Sequence, residues 1–297
     1  MSDAHVVAQA KLNLGLRVLA RETSGYHAIE TIFVRLALGD RVSVRAGGRE
    51  RLLICTGVDV GPVEDNLAYR AALAYAEETG WPDGFAIEIE KVIPVGGGLG
   101  GGSSDAGAVL RALDALAPSP CGEQALLRIA GTLGSDVPYL TTTTSLALAW
   151  GRGDQMLALS ALPARHVVLV IPRFGVSTAE AYGWVAASRA NTPPVPSLMH
   201  VSQLGGWDDI APLAGNDFEP VVAERHPEIR TIIETLRRAG AQIAQMTGSG
   251  STVYGIFTHA PDVAAIERAV PGRVVLTQTT ELVEAARVQL EPSASGD

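Results

Sequence analysis

Residues 94–104 read PVGGGLGGGSS, with six glycines in the seven positions from Gly96 to Gly102. A run without Cβ atoms accepts positive φ, so successive N–H groups can curl around one point, and it is costly to order anywhere without such a purpose. Upstream, FAIEIEKVIP alternates, placing Phe85, Ile87 and Ile89 on one face of a strand. Downstream, an alanine- and leucine-rich pattern predicts a helix from about Ser104 to Leu116. The helix start contributes unpaired N–H groups and a positive dipole end, so strand, loop and helix together form an anion cradle sized for phosphate. Its members are Pro94, Val95, Gly96, Gly97, Gly98, Leu99, Gly100, Gly101, Gly102, Ser103 and Ser104, the two serines offering hydroxyls to phosphate oxygens or to Mg²⁺. A plain linker would lack patterned elements on both sides and would not retain an apolar Leu99.

The common phosphate-loop types do not fit. Gly96, Gly98 and Gly101 match GxGxxG, but the acidic residue of a dinucleotide site should end a strand some 20 residues on, and here that stretch is helical. No lysine follows the glycines as in a Walker A loop, and the protein-kinase motifs are absent. A backbone cradle must then draw its cation from elsewhere. The chain contains only two lysines, Lys11 and Lys91, among many arginines. Lys11 sits in the alternating, apolar KLNLGLR segment, where a compact ammonium suggests a point-charge role rather than a snorkelling surface residue. The matching acid is Asp136 in LGSDVPYL, flanked by small and apolar residues. Taken alone it reads as a turn or cap; beside a phosphate loop it reads as a catalytic carboxylate.

Composition bounds the partners. The 297 residues carry a net charge of −9, which argues against nucleic acid. No apolar run reaches the length of a membrane span, the N-terminus has no secretory pattern, and Cys55 and Cys121 are far apart, so a cytoplasmic protein with reduced thiols is expected. The six histidines form no close pair, and no resident metal site is expected. No exposed apolar seam points to a dimer.

Strand-like segments before residue 60 include HVVAQAKLNLGLRVL, HAIETIFVRLAL, DRVSVRA and RLLICTG. DNLAYRAALAYAEETG predicts a helix capped by Asp65 or Asn66 and stopped by Gly80, and a further helix is expected from Gly122 to about Leu133. TSLALAW and DQMLALS precede RHVVLVIP, after which the order is β-α-α-β-β-α-β, a split-βαβ pattern. A domain change is expected near residue 162, giving domains 1–162 and 163–297. NTPPVPS reads as a proline-rich break and the tail EPSASGD as disordered.

The motifs in sequence order resemble those of the GHMP kinase superfamily. PVGGGLGGGSSDAGA resembles its second motif in a doubled-glycine form, and AKLNLGLRVLARETSGYHAIETIF the N-terminal motif of one branch. DNLAYRAA, LGSDVPYL, GVSTAEAY, GNDFEPVV with HPEI, and MTGSGSTVYGIF follow in that branch's order along most of the chain. The resemblance implies an α+β, two-domain GHMP kinase fold, with an N-terminal domain like ribosomal protein S5 domain 2 and a ferredoxin-like C-terminal domain. It implies transfer of phosphate from ATP, with Mg²⁺, to the 2-hydroxyl of a small-molecule substrate, a cytidine diphosphate derivative of a methyl-tetrol, on the non-mevalonate route to isoprenoid precursors.

By the same resemblance Asp136 accepts or orients the hydroxyl proton and Lys11 stabilises the developing charge, as phosphoryl transfer requires. Asn66 lies near the adenine. Tyr26 and Tyr182 offer faces for the cytosine, His27 reads its edge, and Gly248 and Ser249 of the TGSGS turn approach phosphates or substrate. Asn13, two residues beyond Lys11 on the same strand face, should reach the substrate hydroxyl. The residues leave open a kinase of another small alcohol, such as homoserine or mevalonate, or a silent nucleotide-binding regulator. The Tyr26–His27 pair and the long glycine run weigh against the first, and retention of Lys11 with Asp136 against the second. Departures from the family pattern are Ser135 for an alanine, Asp154 for a glutamate in GRGD, and the four threonines Thr141–Thr144.

Overall fold

Two antiparallel strands of 20 residues each, β1 (Ser2–Arg21) and β2 (His27–Ala46), run through the centre of the molecule. The computed structural model describes residues 2–21, 27–189, 199–200, 202 and 204–290. Tyr26, the proline-rich break and the C-terminal tail lie outside them. The two expected segments on either side of residue 39 are one strand, because Gly39 pairs with Gln9 inside the ladder and Asp40 with Ala8. The ladder shifts register between Gln9 and Lys11 and again between Asn13 and Gly15. Such irregularities re-aim side chains. Accordingly Ala4, Val6 and Ala8 pack in one core, whereas Ala10, Leu12 and Leu14 pack in another. Lys11 and Asn13 occupy the short stretch between the two shifts.

The chain continues through β3 (Arg51–Thr56), α1 (Leu67–Thr79), β4 (Phe85–Glu90), α2 (Gly101–Leu116), α3 (Glu123–Leu133), α4 (Val137–Thr141), β5 (Leu146–Gly151) and β6 (Gln155–Ala158). Asn66 caps α1, its side chain accepting from the Ala68 N–H at 2.9 Å, and Gly80 ends it in the left-handed conformation. The helix after the glycine run starts at Gly101, not near Ser104. Gly100 has φ 74° and the Ser104 N–H already donates to its carbonyl at 2.8 Å, so the last left-handed residue sets the boundary rather than helix propensity. From Ser104 to Leu113 every residue of α2 is buried. Small residues permit this: a Cβ on Gly107 would meet the Leu140 carbonyl of α4 at 2.6 Å.

The second half comprises β7 (His166–Ile171), α5 (Thr178–Ser188), α6 (Trp207–Ile210), β8 (Gly215–Asn216), α7 (Glu219–Arg225), α8 (Glu228–Arg238), β9 (Ile243–Met246), β10 (Val253–Phe257), α9 (Val263–Ala269), β11 (Arg273–Gln278) and β12 (Arg287–Leu290). Four of these strands form an antiparallel sheet in the order β11-β7-β10-β9. The chain leaves the first sheet between β6 and β7, yet two later strands return to it. β12 pairs antiparallel with β1 and the two-residue β8 pairs parallel with it, completing an eight-stranded sheet. One core lies between this sheet and α1 to α3; another holds α5, α7 and α8 against the second sheet; a third joins the two sheets.

Candidate active site

The glycine loop alternates its backbone, with left-handed Gly96, Gly98 and Gly100 at φ 75°, 78° and 74°. Two of these positions are also crowded. A Cβ on Gly98 would sit 2.4 Å from the Thr247 carbonyl oxygen, and one on Gly100 3.1 Å from Lys11 Cγ. The loop is thus pressed between the TGSGS turn and the catalytic-candidate lysine. Leu99 is buried, as its apolar character required, and its carbonyl accepts from the Lys11 N–H at 3.0 Å. With Asn66, Leu67, Lys91 and Asp105, residues 94–102 line a cavity of about 240 Å³. Ser103, next in chain after the lining residue Gly102, is half-buried in the first turn of α2. Ser104 does not offer its hydroxyl to this cavity: it is fully buried and donates to the Gln9 carbonyl at 2.7 Å, fastening α2 to β1.

Lys11 is 3% exposed, and its Nζ lies 3.2 Å from Asp136 Oδ2. It also donates to Asn13 Oδ1 at 2.7 Å and sits 5.4 Å from the Phe33 ring centroid. Asp136 occupies the N-cap position of α4, but its carboxylate caps no backbone N–H and stays partly open, at 29% exposure. The turn role explains its backbone and leaves its carboxylate for the lysine. Below it, α4 ends without a left-handed glycine. Thr141 Oγ1 donates to the Val137 carbonyl and Thr142 Oγ1 to the Tyr139 carbonyl, both at 2.8 Å, so the threonine run supplies the donors a glycine turn would have supplied. Arg35, fully buried, donates to the carbonyls of Tyr139 and Thr142 at 2.7 and 2.9 Å and stacks on the Tyr139 ring.

A second cavity of about 900 Å³ opens beside Asp136, lined by His27, Ser135, Arg152, Thr178 and Tyr182 among others. His27 and Tyr182 are stacked, centroids 5.1 Å apart, and Phe218 meets Tyr182 edge-on at 4.9 Å. One face of Tyr182 is therefore already covered by His27. Burial, with Asp136 nearby, pushes the Tyr182 hydroxyl up to about 12. Ser249 Oγ lies 2.9 Å from Thr178 Oγ1, bringing the TGSGS turn to the rim of this cavity. Gly248 donates its N–H to Asn13 Oδ1 at 3.1 Å. The Asn13 amide is heavily engaged: Oδ1 accepts from Lys11 and Gly248, and Nδ2 donates to Thr31 Oγ1 at 2.8 Å. Its side chain spends these contacts on holding the lysine.

Lys91, for which sequence reasoning finds no role, has its side chain buried beneath the glycine loop. Its Nζ contacts Asp40 Oδ2 at 2.5 Å and Asp105 Oδ2 at 2.7 Å, while Asp40 Oδ1 accepts from the N–H groups of Val92 and Ile93. Burial alone would lower the ammonium, but the two carboxylates outweigh it and the net displacement is upward. Asp105 is pushed up to about 7 by burial and by Asp40, against the pull of Lys91. The one sequence signal that marks Lys91 is the scarcity of lysine, which it shares with Lys11. Among the described residues no group of three or more His, Cys, Asp or Glu is arranged to hold a metal ion, and no helix is long and apolar enough to cross a membrane.

Comparison with known proteins places the chain in a family. The profile described as GHMP kinases N terminal domain matches residues 66–143, and that described as GHMP kinases C terminal matches residues 198–275. A 4-diphosphocytidyl-2-C-methyl-D-erythritol kinase of Pelotomaculum thermopropionicum is 38% identical over 280 residues, covering 92% of this chain and 96% of its own. One of Chlorobium luteolum is 39% identical over 272 residues, covering 90% and 94%. The crystal structure of a 4-(cytidine 5'-diphospho)-2C-methyl-D-erythritol kinase superposes with a TM-score of 0.75 at 34% identity, covering 93% of this chain and 98% of that one. A homoserine kinase from Cytophaga hutchinsonii, at 18% identity and a TM-score of 0.66, shares the fold. With the glycine cradle, the Lys11–Asp136 contact and this extent of likeness together, the chain belongs to the 4-diphosphocytidyl-2-C-methyl-D-erythritol kinase family of GHMP kinases.

Proposed function

We propose that this ATP-dependent kinase transfers a phosphoryl group to the 2-hydroxyl of 4-diphosphocytidyl-2-C-methyl-D-erythritol, a step of the non-mevalonate route to isoprenoid precursors. The observation that carries the reading is the position of the Lys11–Asp136 contact. Gly100, against Lys11, lines the smaller cavity, and Ser135, beside Asp136, lines the larger. A nucleotide whose phosphates lie along the glycine loop would point its terminal group at this couple, and a cytidine derivative in the larger cavity would present its hydroxyl from the other side. The cradle amides of residues 95–102 bind the phosphates, with Asn66 at the adenine end. Asp136 orients the hydroxyl and takes its proton, while Lys11, 3.2 Å from that carboxylate, aligns it and offsets charge growing on the transferring group. Little covalent work is asked of the protein, since phosphoryl transfer is governed by alignment and charge stabilisation.

On the substrate side, Tyr182 supplies one stacking face and Tyr26 the other, with His27 at the base edge and Gly248 and Ser249 closing from the second sheet. Residues 1–162 form the nucleotide-bearing part in this scheme and 163–297 its counterpart. Mg²⁺ bound with the triphosphate would supply neutralisation of phosphate charge. The Ser103 hydroxyl at the start of α2 suits it as a protein oxygen, whereas Ser104 is committed to Gln9. The test is a panel: γ-phosphoryl transfer from ATP to 4-diphosphocytidyl-2-C-methyl-D-erythritol, homoserine and mevalonate. Transfer to the first alone is expected, and a preference for either other alcohol would overturn the assignment.

A further inference from the structure

The segment Gly215–Glu219 (GNDFE) carries none of the proposed contacts with nucleotide or substrate, yet its side chains grip the TGSGS turn. Asn216 is 8% exposed and lies on β8, opposite Leu16 of β1. Its Nδ2 donates to the carbonyls of Met246 and Gly248, both at 2.8 Å, and its Oδ1 accepts from the Phe218 N–H at 2.9 Å. The amide orientation follows from these partners, because turning it would set an acceptor against two carbonyls. Glu219 holds the same turn from its other side, accepting from the Met246 N–H at 2.8 Å.

The turn held in this way is the one that touches the catalytic lysine's partner. Gly248 donates to Asn13 Oδ1 at 3.1 Å, and the same oxygen accepts from Lys11 Nζ at 2.7 Å. Lys11 in turn faces Asp136 at 3.2 Å. A continuous chain of polar contacts thus runs Asn216–Gly248–Asn13–Lys11–Asp136, from the second half of the sequence to the reacting centre. Gly248 has φ 57° and its Cβ position would lie 3.1 Å from the Gly98 carbonyl oxygen, so the turn is also seated on the glycine loop.

We propose that Asn216 is a positioning residue for phosphoryl transfer, fixing the Gly248 amide so that Asn13 aims the Lys11 ammonium at Asp136. It touches neither substrate in this scheme. Its effect belongs in the chemical step rather than in binding, because displacing a reacting or stabilising group by a fraction of an ångström penalises the transition state most. The proposal rests on Lys11 being catalytic, and the test separates the two.

The experiment is a double-mutant cycle on the full chain, with kcat and both KM values measured for ATP and the cytidine substrate. Asn216→Ala is expected to lower kcat by roughly tenfold or more while KM for ATP moves less than about threefold. Asn13→Ala is expected to lower kcat at least as far. The double variant should then fall less than about twofold below Asn13→Ala alone, because a relay already cut at Asn13 has nothing left to transmit. If the two effects multiply, or if Asn216→Ala leaves kcat within about twofold of the parent, the relay is wrong. Should Asn216→Ala fail to accumulate folded, Asn216→Asp replaces it, keeping the shape and the cap on Phe218 while removing the donor. Lys11→Ala is run alongside: substantial activity in that variant would defeat the catalytic reading itself, whereas an inactive Lys11→Ala with a multiplicative cycle defeats only the relay.

Discussion

Gly100 faces Lys11 so closely that a methyl placed on the glycine would meet Lys11 Cγ at 3.1 Å and Cε at 3.2 Å. The loop that would grip the triphosphate therefore also forms one wall of the lysine's channel. Gly100→Ala combines this crowding with a left-handed φ of 74°. A loss of about 1–2 kcal/mol in stability is expected from the backbone conformation, with a larger relative loss in kcat as the ammonium is pushed aside. Denaturant unfolding and steady-state kinetics on one preparation would check both. Unchanged kcat in a folded variant would show that the contact has no catalytic weight.

Asp136→Ala is expected to abolish turnover, lowering kcat on the order of 10²–10⁴-fold, while ATP-analogue affinity persists. The cradle is built from backbone amides and is untouched by the change. Lys11→Ala should behave similarly, with some added weakening of substrate binding. Isothermal titration with a non-hydrolysable ATP analogue, beside the kinase assay, distinguishes lost chemistry from lost binding. A near-native rate in Asp136→Ala would refute the mechanism.

The buried Lys91–Asp40–Asp105 cluster predicts a pH-dependent stability. Burial holds the Asp105 carboxyl at about 7, above the ordinary 3.8. The folded protein therefore keeps a proton that the unfolded chain releases, and the contribution is most favourable below about pH 4 and lost as pH rises towards 7. Asp105→Asn stays neutral throughout. Its stability relative to the parent should therefore improve by on the order of 4 kcal/mol between pH 4 and pH 8. Urea titrations of both proteins across that range would measure it. A difference that does not vary with pH would mean that Asp105 ionises like an exposed carboxylate.

Arg35→Met should be among the most damaging single changes. It removes the donor from the Tyr139 and Thr142 carbonyls inside a fully buried site and loses the stacking on the Tyr139 ring. A cost of about 3 kcal/mol is expected, read from the shift in the denaturation midpoint. Because these carbonyls belong to the segment that opens with Asp136, kcat should fall as well. A variant of parental stability would show that water replaces the guanidinium there.

Much of this site could be read from the chain because its signals are local. Asn66 and Gly80 mark both ends of α1, FAIEIE alternates as β4, and the glycines between two patterned elements leave little but a phosphate loop. Lys11 and Asp136 could be nominated from rarity and surroundings, although 125 positions separate them in sequence. What escaped depends on distant pairing. Ser104 carries a hydroxyl like Ser103, and only the proximity of the Gln9 carbonyl decides that it is spent on packing. Lys91, just past the end of β4, acquires its meaning from Asp40 of β2, 51 residues earlier. GNDFE stands out in sequence only as part of a family-like motif; its hold on Met246 and Gly248 through Asn216, about 30 residues away, appears only in the fold.

The pairing of β12 with β1 has a consequence for how the polypeptide matures. Ribosomes release the long N-terminal strand first, but its outer edge, Ser2 to His5, acquires a hydrogen-bonded neighbour only when Arg287–Leu290 emerge. For most of translation that border is therefore uncapped and open to adventitious strand addition. A premature stop that spares every catalytic group would still leave a nascent protein inclined to aggregate.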